Sequence, residues 1–245
     1  MKKLCLTLFC SFVLLLQMDY PANAQANFSD SEVISICKDE LSRCGIPEIN
    51  SYQPFVKSYT IQTHGRTTWK WLVVFRENSS PEGAVAYAVF RAPPGMIEST
   101  ATGQNKNKDE FTIVQQRLEW EAEKGLYHFW SVEDKAKFNQ EVLVPLGWGG
   151  SDRMPSERDI PQDEALQIAR SAIKAKFILS DSEIDAFLVE TGLMNHPSGK
   201  QWVFVYRFND QTRRIPFQNA YAAVIDSETG EIADLISYED EWKAP

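Results

Sequence analysis

A pattern of one helix followed by strands occurs twice in this chain, with its landmarks in the same order and at a nearly constant offset. Glu32, Val33, Ile36, Cys37 and Leu41 correspond to Glu164, Ala165, Ile168, Ala169 and Ile173 at a shift of 132 residues. Trp71-x-x-x-Phe75-Arg76 corresponds to Trp202-x-x-x-Tyr206-Arg207 at a shift of 131. Ala88-Val-Phe-x-x-x-x-Gly95-x-Ile97 corresponds to Ala223-Val-Ile-x-x-x-x-Gly230-x-Ile232 at a shift of 135. Unrelated helix-plus-hairpin domains would agree loosely in this way, but three ordered landmarks argue for a diverged tandem repeat. Each copy must then bury an amphipathic helix against its own strands. The expected class is α+β: two tandem units of one helix on an antiparallel sheet, spanning 25–100 and 161–245. A helical, aromatic-rich segment at 101–160 joins them.

Local signals fill in the units. Ser29-Asp-Ser-Glu32 has capping-box spacing, and Val33, Ile34, Cys37, Leu41 and Cys44 recur at helical spacing, which predicts a helix over 30–43. Three strands are predicted next, at 55–62, 67–75 and 84–90, separated by the turn Thr63-His-Gly-Arg66 and the breaker Asn78-Ser-Ser-Pro-Glu-Gly83. Residues 101–108 read as a loop and 109–124 as a helix stopped by Gly125. Leu126-Tyr-His-Phe-Trp130 is a dense aromatic knot, Ser131 opens a short helix, and 145–161 reads as a linker. In the second unit, Pro161 suits a first helical turn. Ala165, Ile168, Ala169, Ala172, Ile173 and Phe177 line one helical face, and strands are predicted at 186–193, 202–208, 220–225 and 231–236.

The amino terminus reads as an export signal. Lys2 and Lys3 precede an apolar run from Leu4 to Leu16, and Ala22-Asn-Ala24 is a small-x-small cleavage pattern. The run is shorter than the ~20 residues a membrane-spanning helix needs, although a retained anchor is the alternative. Removal of residues 1–24 takes away Lys2, Lys3 and Asp19, leaving 23 basic against 33 acidic side chains, a balance of −10. That excess disfavours nucleic acid and anionic membrane surfaces, which need basic patches. No later stretch is apolar enough for membrane insertion.

Two cysteines remain, seven residues apart on one predicted helix. Two turns separate them by ~10 Å, beyond the ~7 Å that a disulfide tolerates between Cα atoms. Cys37 and Cys44 are therefore expected as small core residues, a bridge requiring the helix to end before Cys44. Chemistry leaves few traces. His64, His128 and His196 are dispersed, with no His-Glu-x-x-His and no cysteine pairs at zinc spacing. There is no Gly-x-Ser-x-Gly elbow, and Gly147-Trp-Gly-Gly150 lacks the length and lysine of a phosphate loop. No residue is assigned a catalytic, metal or cofactor role, and the chain is expected not to be an enzyme.

The second unit resembles the PepSY domain family. The resemblance rests on Glu164-Ala-Leu-Gln-Ile-Ala-Arg-Ser-Ala172, Trp202-Val-Phe-Val-Tyr206 and Tyr221-Ala-Ala-Val-Ile-Asp-Ser-Glu-Thr-Gly-Glu-Ile232, about 75 residues in all. The first unit is a poorer match, since Arg91-Ala-Pro-Pro-Gly95 replaces the acidic turn. The resemblance implies an exported bacterial α+β module without catalysis. In thermolysin-like peptidases such modules sit in the propeptide and are associated with inhibition. The implied partner is a secreted peptidase, engaged by strand addition at a sheet edge. A cell-envelope scaffold with no peptidase connection is the alternative. Trp148, Trp202 and Tyr221 are the candidate interaction residues, with burial against the helix the plainer expectation for Trp202.

Overall fold

The computed structural model describes residues 28–77, 84–92, 95–102, 107–197, 199–209 and 217–238, so the expected export signal lies outside the described residues. The first unit is α1 (Asp30–Arg43) followed by β1 (Gln53–Thr63), β2 (Arg66–Arg76), β3 (Ala84–Ala92) and β4 (Met96–Thr102). Then come α2 (Asn107–Lys124) and α3 (Val132–Phe138). The second unit is α4 (Gln162–Phe177), α5 (Asp181–Asp185), β5 (Phe187–His196), β6 (Gly199–Phe208), β7 (Asn219–Asp226) and β8 (Ile232–Ser237). Each unit holds a four-stranded antiparallel meander, β1-β2-β3-β4 and β5-β6-β7-β8. The α+β class and the two helix-on-sheet units are as expected.

The helices form where the sequence directs them. The Ser29 hydroxyl accepts from the Glu32 amide at 3.3 Å while the Ser29 amide donates to the Glu32 carboxylate at 2.8 Å, satisfying two first-turn donors. Val33, Cys37 and Leu41, four residues apart, form the buried stripe of α1, and Ala165, Ala169 and Ile173 form that of α4. These are the residues paired by the 132-residue offset.

The repeat extends into the sheets. Trp71 lies opposite Phe90 in the β2–β3 ladder, and Trp202 opposite Ile225 in the β6–β7 ladder. Register shifts fall between Phe75 and Arg76 and between Tyr206 and Arg207, at the same repeat position. A second pair falls between Val89 and Phe90 and between Val224 and Ile225. An extra residue in a strand bends the ladder locally, so matching bulges bend both meanders around their helices in the same way.

Several expectations need correction. Residues 96–102 form a fourth strand of the first sheet, running into the region read as loop. The helix expected in the connecting segment, α2, packs on the first sheet, where Leu118, Phe111 and Val114 cover Tyr59, Leu72, Val74, Tyr87 and Val89. The first sheet is thus sandwiched between α1 and α2. Cys37 is buried, but Cys44 is the C-cap of α1, exposed, and both thiols are free. The helix ends there because Gly45 takes φ 97°, so that Cys44 lies past the last turn that packs on the sheet.

Candidate functional site

The three aromatic candidates occupy different environments. Trp202 is fully buried, its indole donating to the Ile160 carbonyl at 3.1 Å, and offers no surface to a ligand. Tyr221 is also buried, stacked on Phe177 at 4.6 Å between ring centroids. Both are core residues, as the plainer expectation for Trp202 had it, and neither is an interaction residue: each points from the sheet toward α4, where apolar area is removed from water. Trp148 is 49% exposed and stands alone among them as an accessible aromatic. Trp130 is core, packed with Phe138, Val142 and Trp120, its indole donating to the Gly125 carbonyl at 2.6 Å.

The second sheet has one closed edge and one open one. Residues 151–153 lie along β5: the Arg153 amide donates to the Leu193 carbonyl at 2.8 Å, and Asp152 bridges to Met194. Asn139 holds that segment in place through the backbone of Gly150 and Asp152. At the opposite edge, β8 is short and carries exposed Asp234, and Lys176 donates to its Leu235 carbonyl at 2.6 Å. Charge and an occupied carbonyl both blunt an edge against strand addition.

The face of this sheet away from α4 is more open than its counterpart. By the repeat offsets, Val203, Val205 and Val224 stand where the first unit has Leu72, Val74 and Val89. Val203 lies directly opposite Val224, as Leu72 lies opposite Val89. Leu72, Val74 and Val89 are 2%, 4% and 3% exposed beneath α2, whereas all three valines are only half-buried. They belong to none of the packed cores formed by the described residues. Ala222 replaces Tyr87, so the surface between them is flatter. Asp234, opposite Val224, puts a solvated carboxylate at its margin.

A charged cleft of about 330 Å³ lies between the units. One wall carries Lys70, Arg91 and Glu98 from the first sheet with Arg117 and Glu121 from α2; the other carries Arg207 from β6. Buried Lys70 is held by Glu98 at 2.9 Å and by buried Glu121 at 2.8 Å. Behind Arg207, Glu190 receives Arg207 Nε at 2.9 Å and Lys135 Nζ at 3.2 Å, with His128 Nδ1 at 3.3 Å. The same His128 nitrogen is 3.2 Å from an Arg207 terminal nitrogen, so it either accepts from Arg207 or donates to Glu190. Burial alone would raise the Glu190 carboxyl. The His128 hydrogen bond and the charges of His128, Lys135 and Arg207 outweigh burial and hold it at about 2. For Glu98 the opposing pull of Lys70, Arg91 and Arg117 likewise exceeds burial, and its carboxyl is lowered.

The cleft's wall includes a strained residue. Phe217 has φ 58°, in the left-handed region that a bulky side chain enters at a cost of roughly 1–3 kcal/mol. In that conformation its carbonyl accepts from Arg207 at 3.0 Å and its ring meets Phe129 at 5.1 Å. No single-sequence motif marks this cleft, because its two walls come from residues 86 to 137 positions apart.

Among the described residues no three His, Cys, Asp or Glu side chains converge as metal ligands, and no helix is long and apolar enough to cross a membrane. No family model matches this chain, and no curated protein or solved structure shows significant similarity to it.

Proposed function

We propose that this chain is an exported, non-enzymatic, PepSY-like binding protein whose second unit receives an amphipathic helix of an extracytoplasmic protein. The resemblance in α4, β6 and the β7–β8 hairpin points to a peptidase as that protein, inhibited on binding. Cleavage near Ala24 would release the chain outside the cytoplasm. The observation that carries the binding reading is the difference between the repeats. An apolar triplet buried under α2 in the first unit recurs as an only partly buried triplet in the second. The first unit supplies the template for an occupant, a helix presenting Phe111, Val114 and Leu118 at i, i+3 and i+7. With Asp234 at the margin and a net charge of −9, the complementary helix carries basic residues on its flanks.

The state of the buried carboxylates argues against acid–base catalysis. Glu190 and Glu98 are saturated with cations and held ionised, whereas a general acid or base works best with a pKa near the operating pH. Lys176 at Leu235 favours the open face over the β8 edge.

The test uses the mature chain from Gln25 and its Val205→Lys variant as baits against the native secretion fraction. Retained proteins are identified, assayed as peptidases, and mapped for contact by crosslinking. A peptidase held and inhibited by the parent chain but released by the variant supports the proposal. An envelope protein without peptidase activity, lost in the same variant, moves the reading to a scaffold. Equal retention by both baits, or none by either, rejects the face.

A further inference from the structure

We propose that the cleft between the units is a binding site for a short dicarboxylate, a compact organic dianion gripped by Arg91 and Arg117. The cleft borders the helix-docking face, since Arg207 follows Val205 along β6, but the two arginines proposed to grip the ligand belong to β3 and α2. Its first ground is charge. The cleft's walls carry four cations, Lys70, Arg91, Arg117 and Arg207, against two carboxylates, Glu98 and Glu121. Behind them Lys135 faces both Glu190 and buried Asp152, so among the described residues one positive charge remains uncompensated in a chain whose net charge is −9. An excess of one sign in a cleft with low-dielectric walls favours small counter-ions.

The second ground is how the hydrogen bonds are distributed. Lys70 and Arg91 are directly opposed in the β2–β3 ladder. Like charges so placed repel. Both nearby carboxylates turn to Lys70, at 2.9 and 2.8 Å, and among the described residues no carboxylate pairs with Arg91. Its Nε is buried with no acceptor, and a terminal nitrogen reaches only the Met96 sulfur at 3.5 Å. A buried guanidinium N–H without an acceptor is rare in folded proteins. Arg117 is also underused: its Nε is 3.4 Å from Glu121 and its plane lies 4.7 Å over the Tyr127 ring. Arg207, by contrast, spends its donors on Glu190, Asn219, His128 and the Phe217 carbonyl, which makes it a fixed wall.

The third ground is size and lining. The space of about 330 Å³ holds roughly ten waters' worth of volume. That suits a ligand of a few carbons with a carboxylate at each end. Buried Leu126 and Phe217 supply apolar contact for the carbon chain. Two arginine forks match planar carboxylates through paired N–H···O bonds. The strained Phe217 backbone keeps the opposite wall in place through its bond to Arg207.

The test is calorimetric titration of the mature protein with succinate, glutarate, inorganic phosphate and neutral succinamide, with methyl and arginine side-chain NMR to locate the site. Succinate or glutarate is expected to bind with a Kd tighter than about 1 mM, phosphate more weakly and succinamide not at all. Arg91→Gln and Arg117→Gln should each weaken dicarboxylate binding at least about tenfold, as loss of a charge-assisted pair requires. Lys57→Gln, an exposed lysine outside the cleft, should leave it unchanged. Circular dichroism checks that each variant is folded, and Arg117→Lys, which keeps the charge but not the fork, should recover only part of the affinity. No binding by either dicarboxylate, binding that survives both glutamine variants, or phosphate binding as tightly as succinate overturns the proposal.

Discussion

At the scale of single residues, Glu190 carries the most electrostatic consequence. It is the shared counter-charge of Lys135, which is almost fully buried, and of Arg207, and it lies against His128. Replacement by glutamine leaves two cations inside the protein with backbone carbonyls as their main partners. Breaking a buried pair from one side costs about 3–5 kcal/mol, so Glu190→Gln should lower the unfolding free energy by that much, read as a fall in the urea midpoint at unchanged m-value. The pH dependence follows from the direction of the shift. The folded carboxyl titrates at about 2, below the ordinary 4.5, so folding favours its ionised form. Its contribution is present in full above pH 4.5 and drains away as pH falls toward 2. A depression of that size corresponds to about 3 kcal/mol. Asp159, held low by Lys200, Ser227 and Ser156 against its burial, loses its contribution in the same direction. The comparison must therefore be the difference between parent and variant across pH: it should shrink on acidification, and a constant difference would mean Glu190 acts by packing. None of these partners was legible as a set, because Glu190, Lys135 and Arg207 sit on three elements with no common motif.

At the scale of elements, the two units offer an internal control. Val74 and Val205 occupy the same repeat position, one beneath α2 and the other on the open face. Deleting two buried methyl groups removes about 2 kcal/mol once the cavity is included. Val74→Ala should therefore cost about 2 kcal/mol in urea unfolding, and Val205→Ala under about 1 kcal/mol. Equal costs would mean that the second face is packed after all. What was legible at this scale follows from length and period. α1 and α4 are legible because apolar residues recur every four positions, Val33, Cys37 and Leu41 in one and Ala165, Ala169 and Ile173 in the other, and β2 and β6 because each centres on a tryptophan followed by β-branched and aromatic residues. β4 was missed because Glu98, Ser99 and Thr100 dilute its apolar residues, and no alternation survives in Met96-Ile-Glu-Ser-Thr-Ala-Thr102. α5 has five residues, too few to show a period. The place of α2 was not legible because periodicity says which face is apolar and nothing about which sheet it covers.

At the scale of the whole molecule, the two units meet through a small apolar core and a set of backbone contacts, which decides whether they unfold together. Ile61, at the end of β1, is buried with Leu126 and Phe217, and Phe129 and Leu188 pack around them. The Leu126 amide donates to Thr63 at 2.8 Å, and Arg66 donates to the Asn209 carbonyl at 2.7 Å while lying 5.2 Å over the Phe217 ring. The chain can enter this junction from α2 only because residue 125 is glycine. It has φ 91°, and an added Cβ would sit 2.9 Å from the Gln62 carbonyl oxygen. Gly125→Ala should thus strain the junction twice, through backbone conformation and through a backbone clash, at a cost of roughly 1–3 kcal/mol. Its effect differs in kind from a core cavity, because it displaces one unit's helix exit from the other unit's wall. Ile61→Ala removes the central contact instead, at about 2–5 kcal/mol. If the junction couples the units, the parent chain unfolds in one transition by both tryptophan fluorescence and circular dichroism. In Ile61→Ala the second sheet, with its own closed core around Trp202, should then keep hydrogen-exchange protection after the first has lost it. Two transitions in the parent chain would show instead that each helix-on-sheet unit is stable alone, and that the cleft between them opens without unfolding either.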